Sequence, residues 1–549
     1  MKSIIKIKYN LIFDIFRDII KLLYSTNIEG ANMNRRILRD KILGCFNGKN
    51  VGGTLGAPLE GKNGFFDIEY FIQPNIENNP QPNDDLDLQI SSLNAVRRFG
   101  RCVNSEVLAE YYNIFVNPSW AEYGVGKSNL RRGIPTPISG YHANSYKDSC
   151  GSFIRSEIWA CLFPGHPELA TRYAYFDSSI DHADEGTYGE IFWAAVQSAA
   201  FFESDIRKLI NIGLSYIPKT SELYKGITIV INCYENGKTY EEARDTIFRE
   251  VVGAFSYQHT KLKDIKLTEY TPAPAGFDAP QNIAIAILGL LYGEGDFGKS
   301  MLLAVNCGED ADCTAGTLAA TLGIILGNSN LPEKWIKPIN DVIITATLNT
   351  LDFGMTMNMP FFLPKTTQEL AGEIIRCIPK MLSADTFNIT DEGLEVFPNN
   401  DFYCKDTEEV YYRGAFGNRG KEYFSTTELV NLPHYSIFKE FSLFKMQAIY
   451  ENDFFFENEK ETSVKLKIYD NGESKIQHWL TIRAYTLDGV EVKEKVTTVP
   501  LSNCNGDITE KTFHILPKHV EGDKFDVIFD ISMEGHASMN LLKVSFFAK

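Results

Sequence analysis

The feature that most constrains this chain is a change of hydrophobic period near residue 385. From Arg35 to about Ser383, apolar residues recur at helical spacing, as in "SEVLAEYYNIFV", "EIFWAAVQSAAFFES", "TYEEARDTIFREVVGAF" and "NIAIAILGLLYG". Beyond it, "TSVKLKIYD", "HWLTIRAYTLDG", "KFDVIFDISM" and "MNLLKVSFFA" alternate apolar and polar residues, divided by turns such as "DNGES" and "EGDK". One ordinary core does not accommodate 549 residues. The predicted architecture is therefore multidomain. It has an N-terminal helical extension at 1–34, an all-α domain at 35–385, and a C-terminal β-sandwich domain at 386–549, with a linker near 384–400.

Hydrophobic residues make up 44% and charged residues 23%, as expected of a soluble globular protein. The formal net charge of -17 disfavours nucleic acid as a main partner. Ten scattered cysteines form no CxxC pair, which predicts free thiols in a reducing, cytoplasmic setting. The nine histidines show no zinc-like spacing, so any bound metal is expected to use oxygen ligands, as magnesium, manganese or calcium do. The start, "MKSIIKIKYNLIFDIFRDIIKLLYS", is apolar but broken by Lys6, Lys8, Asp14, Arg17, Asp18 and Lys21. It reads as an amphipathic helix rather than a membrane span or signal peptide.

Several short stretches carry chemistry. "RRILRDKILGCFNGKNVGGTLGA" is helical yet includes Gly44, Gly48, Gly52, Gly53 and Gly56, which points to close approach by another helix or by a ligand. "NPSWAEYGVGKSNLRRGIPTPISGYHAN" and "YTPAPAGFDAPQN" read as long functional loops. "PNDDLDLQISSLNAV" places Asp84 and Asp85 in the first turn of a helix. "CGEDADCTAGTLAATLGIILG" does the same with Glu309, Asp310 and Asp312. Acids there cap free N–H groups and suit the helix dipole. Both clusters exceed what capping needs, and both lead apolar helices. If they meet, the carboxylates repel one another unless cations neutralise them. Spacing alone leaves both readings open, caps or a divalent-metal site.

Taken together, the motifs resemble the ADP-ribosylglycohydrolase family over roughly residues 35 to 345. The matching segments are "GCFNGKNVGGTLGAPLEG" with Glu60, "NDDL" from Asn83, "CGSFIR" with Ser152 and Arg155, "SSIDHADEG" with His182, and "GEDADC" with Asp310 and Asp312. The variant is similar to a bacterial subgroup. The resemblance implies an all-helical fold with two divalent ions, usually Mg2+ with Mn2+ as a substitute. It implies metal ligation by Asn83, Asp84, Asp85, Asp310, Asp312 and Thr314, and chemistry by Glu60, Asp85 and Asp310. It also implies an ADP-ribose pocket shaped by Gly53, Gly56, Ser152, Arg155 and His182.

Two family hydroxyls are replaced. Leu86 follows Asp85 and cannot ligate, and Cys313 follows Asp312 and is a soft donor; Thr314 and Asp87 are the nearest substitutes. The expected reaction is hydrolysis at the ribose C1′ of ADP-ribose joined to a protein or small molecule. A carboxylate-held metal pair would bind the attacking water, and Glu60 or an aspartate would take its proton. A binding protein with reduced catalysis, or a hydrolase of another riboside or glycoside, are the alternatives. Arg155 is read as a phosphate contact or as the partner of Glu157 or a core carboxylate. His182 is read as an orienting group or a satisfied loop histidine. Trp120, Tyr188 and Phe277 are candidates to stack on adenine, with packing as the alternative.

Overall fold

The computed structural model describes residues 32–251, 276–348, 361–405, 424–470, 477–501, 508–537 and 540–549. The expected amphipathic helix at the N-terminus lies outside the described residues. The helical text folds as an all-α body. Its elements include α1 (Arg35–Gly56), α2 (Asp84–Phe99), α3 (Ala121–Arg131), α4 (Ser156–Leu162), α5 (Pro167–Ser178), α6 (Asp184–Ala200), α7 (Ala279–Gly293), α8 (Ala311–Leu326) and α9 (Thr367–Met381). Asn34 caps α1, its side chain accepting from the Ile37 N–H at 3.0 Å.

The centre of this body is the antiparallel pair α1 and α8. Gly44, Gly48, Gly52 and Gly56 recur every fourth residue and so share one face of α1. A Cβ on Gly48 would sit 2.7 Å from the Ala319 carbonyl carbon, and one on Gly52 2.5 Å from that of Ala315. Gly44 faces Gly323 in the same way, and Gly56 faces Ala311. The glycines let the two backbones touch, and the small residues of α8 complete the seam. Of the sequence's two readings for these glycines, helix contact applies to all four.

Part of the first expected loop is helical. Residues 121–131 form α3 despite Gly124 and Gly126. Propensity argues against a helix there, but tertiary packing overrides it. A Cβ at Gly126 would meet the Asp181 Cβ at 2.8 Å, so this turn needs a glycine to approach the core.

The strands β1 (Met33–Asn34), β4 (Phe387–Thr390) and β5 (Gly393–Val396) make a small antiparallel sheet in the order β1-β5-β4. Between β1 and β4 in the chain lie β2 (Lys62–Asn63) and β3 (Gly308–Glu309), which pair with each other. Leu394, Val396, Phe424 and Leu429 pack in the helical body's core. The hairpin just after residue 386 thus belongs with the helices. Met33 and Asn34, placed by sequence in a helical extension, are strand residues here.

The sandwich begins at β6 (Ser436–Glu440) and continues through β7 (Phe444–Tyr450), β8 (Phe455–Phe456), β9 (Thr462–Asp470), β10 (His478–Thr486), β11 (Val490–Val492), β12 (Val496–Leu501), β13 (Thr509–Pro517), β14 (Lys524–Met533) and β15 (Asn540–Ala548). Two five-stranded sheets, in the orders β12-β10-β14-β15-β8 and β11-β13-β9-β7-β6, bury one face each around a common apolar core. The sandwich is seated on the helices. Phe438 of β6 stacks on Phe176 of α5 with ring centroids 5.9 Å apart, and Arg172 pairs with Glu440.

Candidate active site

Local chemistry brings the acids together. The α1–α8 seam runs antiparallel, so the end of α1 lies beside the start of α8. Just past that end, Glu60 leads into β2, and β2 pairs with β3 immediately before Asp310. Gly61 N–H donates to the Glu309 carbonyl at 2.9 Å, which fixes Glu60 against Asp310. Ligand oxygens of Glu60, Asp310 and Asp312 lie within 4.8 Å of one another. Glu60 is exposed at the rim while both aspartates are buried. Oδ1 of Asp310 and Oδ1 of Asp312 are buried without a hydrogen-bond partner. Unpartnered buried carboxylate oxygens are costly, and a hard divalent cation would satisfy them.

The α2 start joins this group through Asn83. Its Oδ1 accepts from the Asp85 N–H at 2.9 Å, capping α2, and its Nδ2 donates to Asp312 Oδ2 at 3.0 Å. Asp84 accepts from the Tyr123 hydroxyl at 2.8 Å. Asp85 is buried, with Oδ2 2.8 Å from Lys49 Nζ, and its Oδ1 accepts from Cys313 Sγ at 3.6 Å. Asp85, Asp312 and Cys313 form a second group whose ligand atoms lie within 4.8 Å. Asp87 turns away from this group and anchors another segment, accepting from the N–H groups of Ala346 and Thr347 at 2.8 and 2.7 Å. The Thr314 hydroxyl donates to the Ala311 carbonyl within α8 at 3.1 Å.

Crowding shows in the proton affinities. Burial first, then Asp85 and Glu60, push the Asp312 carboxyl up to about 8. Burial with Asp310, Asp84 and Asp85 pushes Glu60 to about 7, and burial with Asp85 pushes Asp84 to about 6. Asp310 is raised by burial and by Asp312. Burial also raises the Cys313 thiol, which keeps it protonated. Burial and mutual repulsion raise these carboxyls because no lysine or arginine among the described residues pairs with Glu60, Asp310 or Asp312. The donor set therefore fits a divalent cation.

Lys49 and Tyr123 were not singled out by sequence, and Glu157 was considered only as a partner of Arg155. Burial lowers the Lys49 pKa, but Asp85 and Glu157 more than offset it, so the ammonium stays charged. The available signal was a lone lysine within the small, apolar face of α1, beside Gly48.

The expected pocket residues divide. Gly53 faces the site, since a Cβ there would lie 3.1 Å from Asn83 Nδ2. Gly56 is spent on helix packing against Ala311. Ser152 donates its hydroxyl to the Gly186 carbonyl and is fully buried. His182 is also fully buried, with Nδ1 2.7 Å from Asp181 Oδ1 and Nε2 2.9 Å from Ser149 Oγ.

Arg155 is a correction to the phosphate-contact reading. It is 0% exposed, and its guanidinium lies 2.6 Å from Asp181, 3.4 Å from Asp177 and 3.9 Å from Glu190. Three buried carboxylates hold it, so it serves as the core's counter-charge. Glu157, the other partner considered, pairs with Lys49 instead. Trp120 remains exposed at the head of α3, its ring 6.2 Å from that of Tyr123.

The class the fold and site define is an all-helical body whose acidic helix starts meet in one carboxylate cluster. The chain belongs to the ADP-ribosylglycohydrolase family, whose pattern matches residues 34–357. It is similar to a solved structure described as an ADP-ribosylglycohydrolase-related protein complex. That likeness is 17% identity over 62% of this chain and 99% of the other, with a TM-score of 0.35. A FixG-related protein from Vibrio parahaemolyticus is similar at 13% identity over 19% of this chain and 96% of the other, with a TM-score of 0.16. No curated protein matches the chain. No helix among the described residues is long and apolar enough to cross a membrane.

Proposed function

We propose that the protein is a metal-dependent hydrolase that cleaves an N- or O-ribosyl bond of ADP-ribose attached to a protein or small molecule, with Mg2+ as the physiological ion and Mn2+ able to replace it. One observation carries this reading. Glu60, Asp310 and Asp312 converge within 4.8 Å, with two buried carboxylate oxygens lacking partners. A divalent cation bound here would supply a water of lowered pKa and a fixed charge against the ribose hydroxyls. The chain's own groups do the rest. Asp310 and Asp312 would hold it from the start of α8. Asn83 keeps α2 in register with Asp312 through its amide. Glu60 stands at the rim beside Asp310, within reach of solvent, and is the carboxylate placed to accept the proton of the attacking water. Tyr123 fixes the rotamer of Asp84. The free cysteines support a reducing, cytoplasmic setting.

The test is a panel of ADP-ribosyl esters, ADP-ribosyl N-glycosides and ribosides lacking ADP. Release of free ADP-ribose from a member of the first two classes supports the reading. Turnover confined to ribosides without ADP contradicts it. Tight ADP-ribose binding with no turnover of any conjugate would make the protein a binder.

A further inference from the structure

The two acidic groups are not equivalent. Lys49 lies in α1 with 2% exposure. Its Nζ is 2.8 Å from Asp85 Oδ2, 3.1 Å from Glu157 Oε1 and 3.1 Å from Thr317 Oγ1. Thr317 accepts its hydrogen bond, and the two carboxylates hold it by charge, Asp85 Oδ2 making no hydrogen bond of its own. Gly316 of α8 borders the pair, a Cβ there falling in ordinary contact with Lys49 Cδ at 3.4 Å and Asp85 Oδ2 at 3.5 Å. The lysine is thus held in the core, aimed at one carboxylate of the site.

The remaining donors on that side are poor for a hard cation. Leu86 follows Asp85 and is apolar and buried. Cys313 spends its S–H on Asp85 Oδ1 at 3.6 Å. A soft sulfur directed at Asp85 and an ion-paired carboxylate leave Asp312 as the one ready oxygen donor in that group. The other group differs. Among the described residues, no lysine or arginine pairs with Glu60, Asp310 or Asp312, and two of their oxygens lack partners.

We propose that Lys49 is a resident cation standing in for one member of the expected metal pair, so that the centre holds a single divalent ion on Asp310 and Asp312, beside Glu60. The inference rests on the metal-dependent reading above and refines it. A tethered ammonium cannot be chelated, so one part of the cluster's neutralisation is permanent and the rest is exchangeable.

Metal counting tests this on the full chain. The protein is stripped with chelator, reloaded with Mn2+ and desalted. Bound manganese is then measured by elemental mass spectrometry and by electron paramagnetic resonance. The wild type is expected to hold about one Mn2+ per chain, with the spectrum of a magnetically isolated ion. Lys49→Met is expected to hold about two, with the coupled spectrum of ions about 3.5–4 Å apart. Two coupled ions in the wild type overturn the inference while leaving the hydrolase reading intact. One ion in both the wild type and a folded Lys49→Met also overturns it, because Lys49 then excludes nothing. No bound Mn2+ in the wild type overturns this inference and the metal-dependent reading together. If Lys49→Met does not fold, Lys49→Gln serves in its place, and the wild-type count still decides.

Discussion

The α1–α8 seam predicts opposite outcomes for one chemical change at two positions. In Gly48→Ala the new Cβ lies 2.7 Å from the Ala319 carbonyl carbon and closer still to its oxygen, whereas ordinary contact begins at 3.4 Å. The obstacle is backbone in the central helix, so no side chain can swing aside. The helices must part by roughly 1 Å, and a gap of that size forfeits a quarter to a half of the dispersion energy of the contacts it opens. Overpacking of this kind costs about 1–3 kcal/mol, more where nothing yields. Alanine recovers about 1 kcal/mol of helix propensity. Because the obstacle is unyielding backbone, the upper end of that cost applies, and a net loss of up to about 2 kcal/mol is expected for Gly48→Ala. Gly372 in α9 is the control. Its nearest neighbours would be the tips of Arg39 and Arg376 at 3.7 and 3.8 Å, both mobile side chains. Gly372→Ala should stabilise by about 0.5–1 kcal/mol. Urea unfolding followed by the helical circular dichroism signal measures both, read as midpoint shifts at constant slope. Equal or same-sign shifts would show that the seam does not need its glycines.

Two further predictions concern buried charge. Arg155→Met strands Asp177, Asp181 and Glu190 in the core, and should cost about 3–5 kcal/mol by thermal or urea unfolding; a loss under about 1 kcal/mol would refute the counter-charge role. Glu185 accepts from the N–H groups of Glu222 and Leu223, and burial raises its carboxyl from 4.5 to about 7. A raised folded-state pKa means that its contribution to stability is complete below pH 4.5 and is lost as pH rises through about 7. Glu185→Gln should therefore gain on the wild type between about pH 5 and 8, by at most about 3 kcal/mol. A stability difference that stays constant across that range would contradict this.

Much of this architecture was readable because it is local. The helical and alternating periods are properties of neighbouring residues, and both domains' textures survive in the fold. The acids at the starts of α2 and α8 were visible for the same reason. What escaped depends on partners chosen in three dimensions. Arg155 looks like a ligand contact in "CGSFIR" until Asp177, Asp181 and Glu190 close around it. Lys49 reads as one more helix-forming residue until Asp85 and Glu157 arrive from α2 and α4. The β2–β3 ladder that sets Glu60 beside Asp310 is two residues long, too short for any period to show. An alternating pattern also does not say which core a hairpin joins, and β4–β5 joins the helical one. For α3, contact at Gly126 outweighs the low helix propensity of its glycines.

The central claim is that carboxylates meeting across two helix starts hold a divalent ion needed for bond cleavage. The most direct measurement is release of free ADP-ribose from a conjugate by the full chain, before chelation, in excess EDTA, and after Mg2+ is restored, with Asp312→Asn measured in parallel. The account predicts that release stops in EDTA, returns with Mg2+, and stays at background in a folded Asp312→Asn. Release that continues in excess EDTA, or at the wild-type rate in Asp312→Asn, would contradict it.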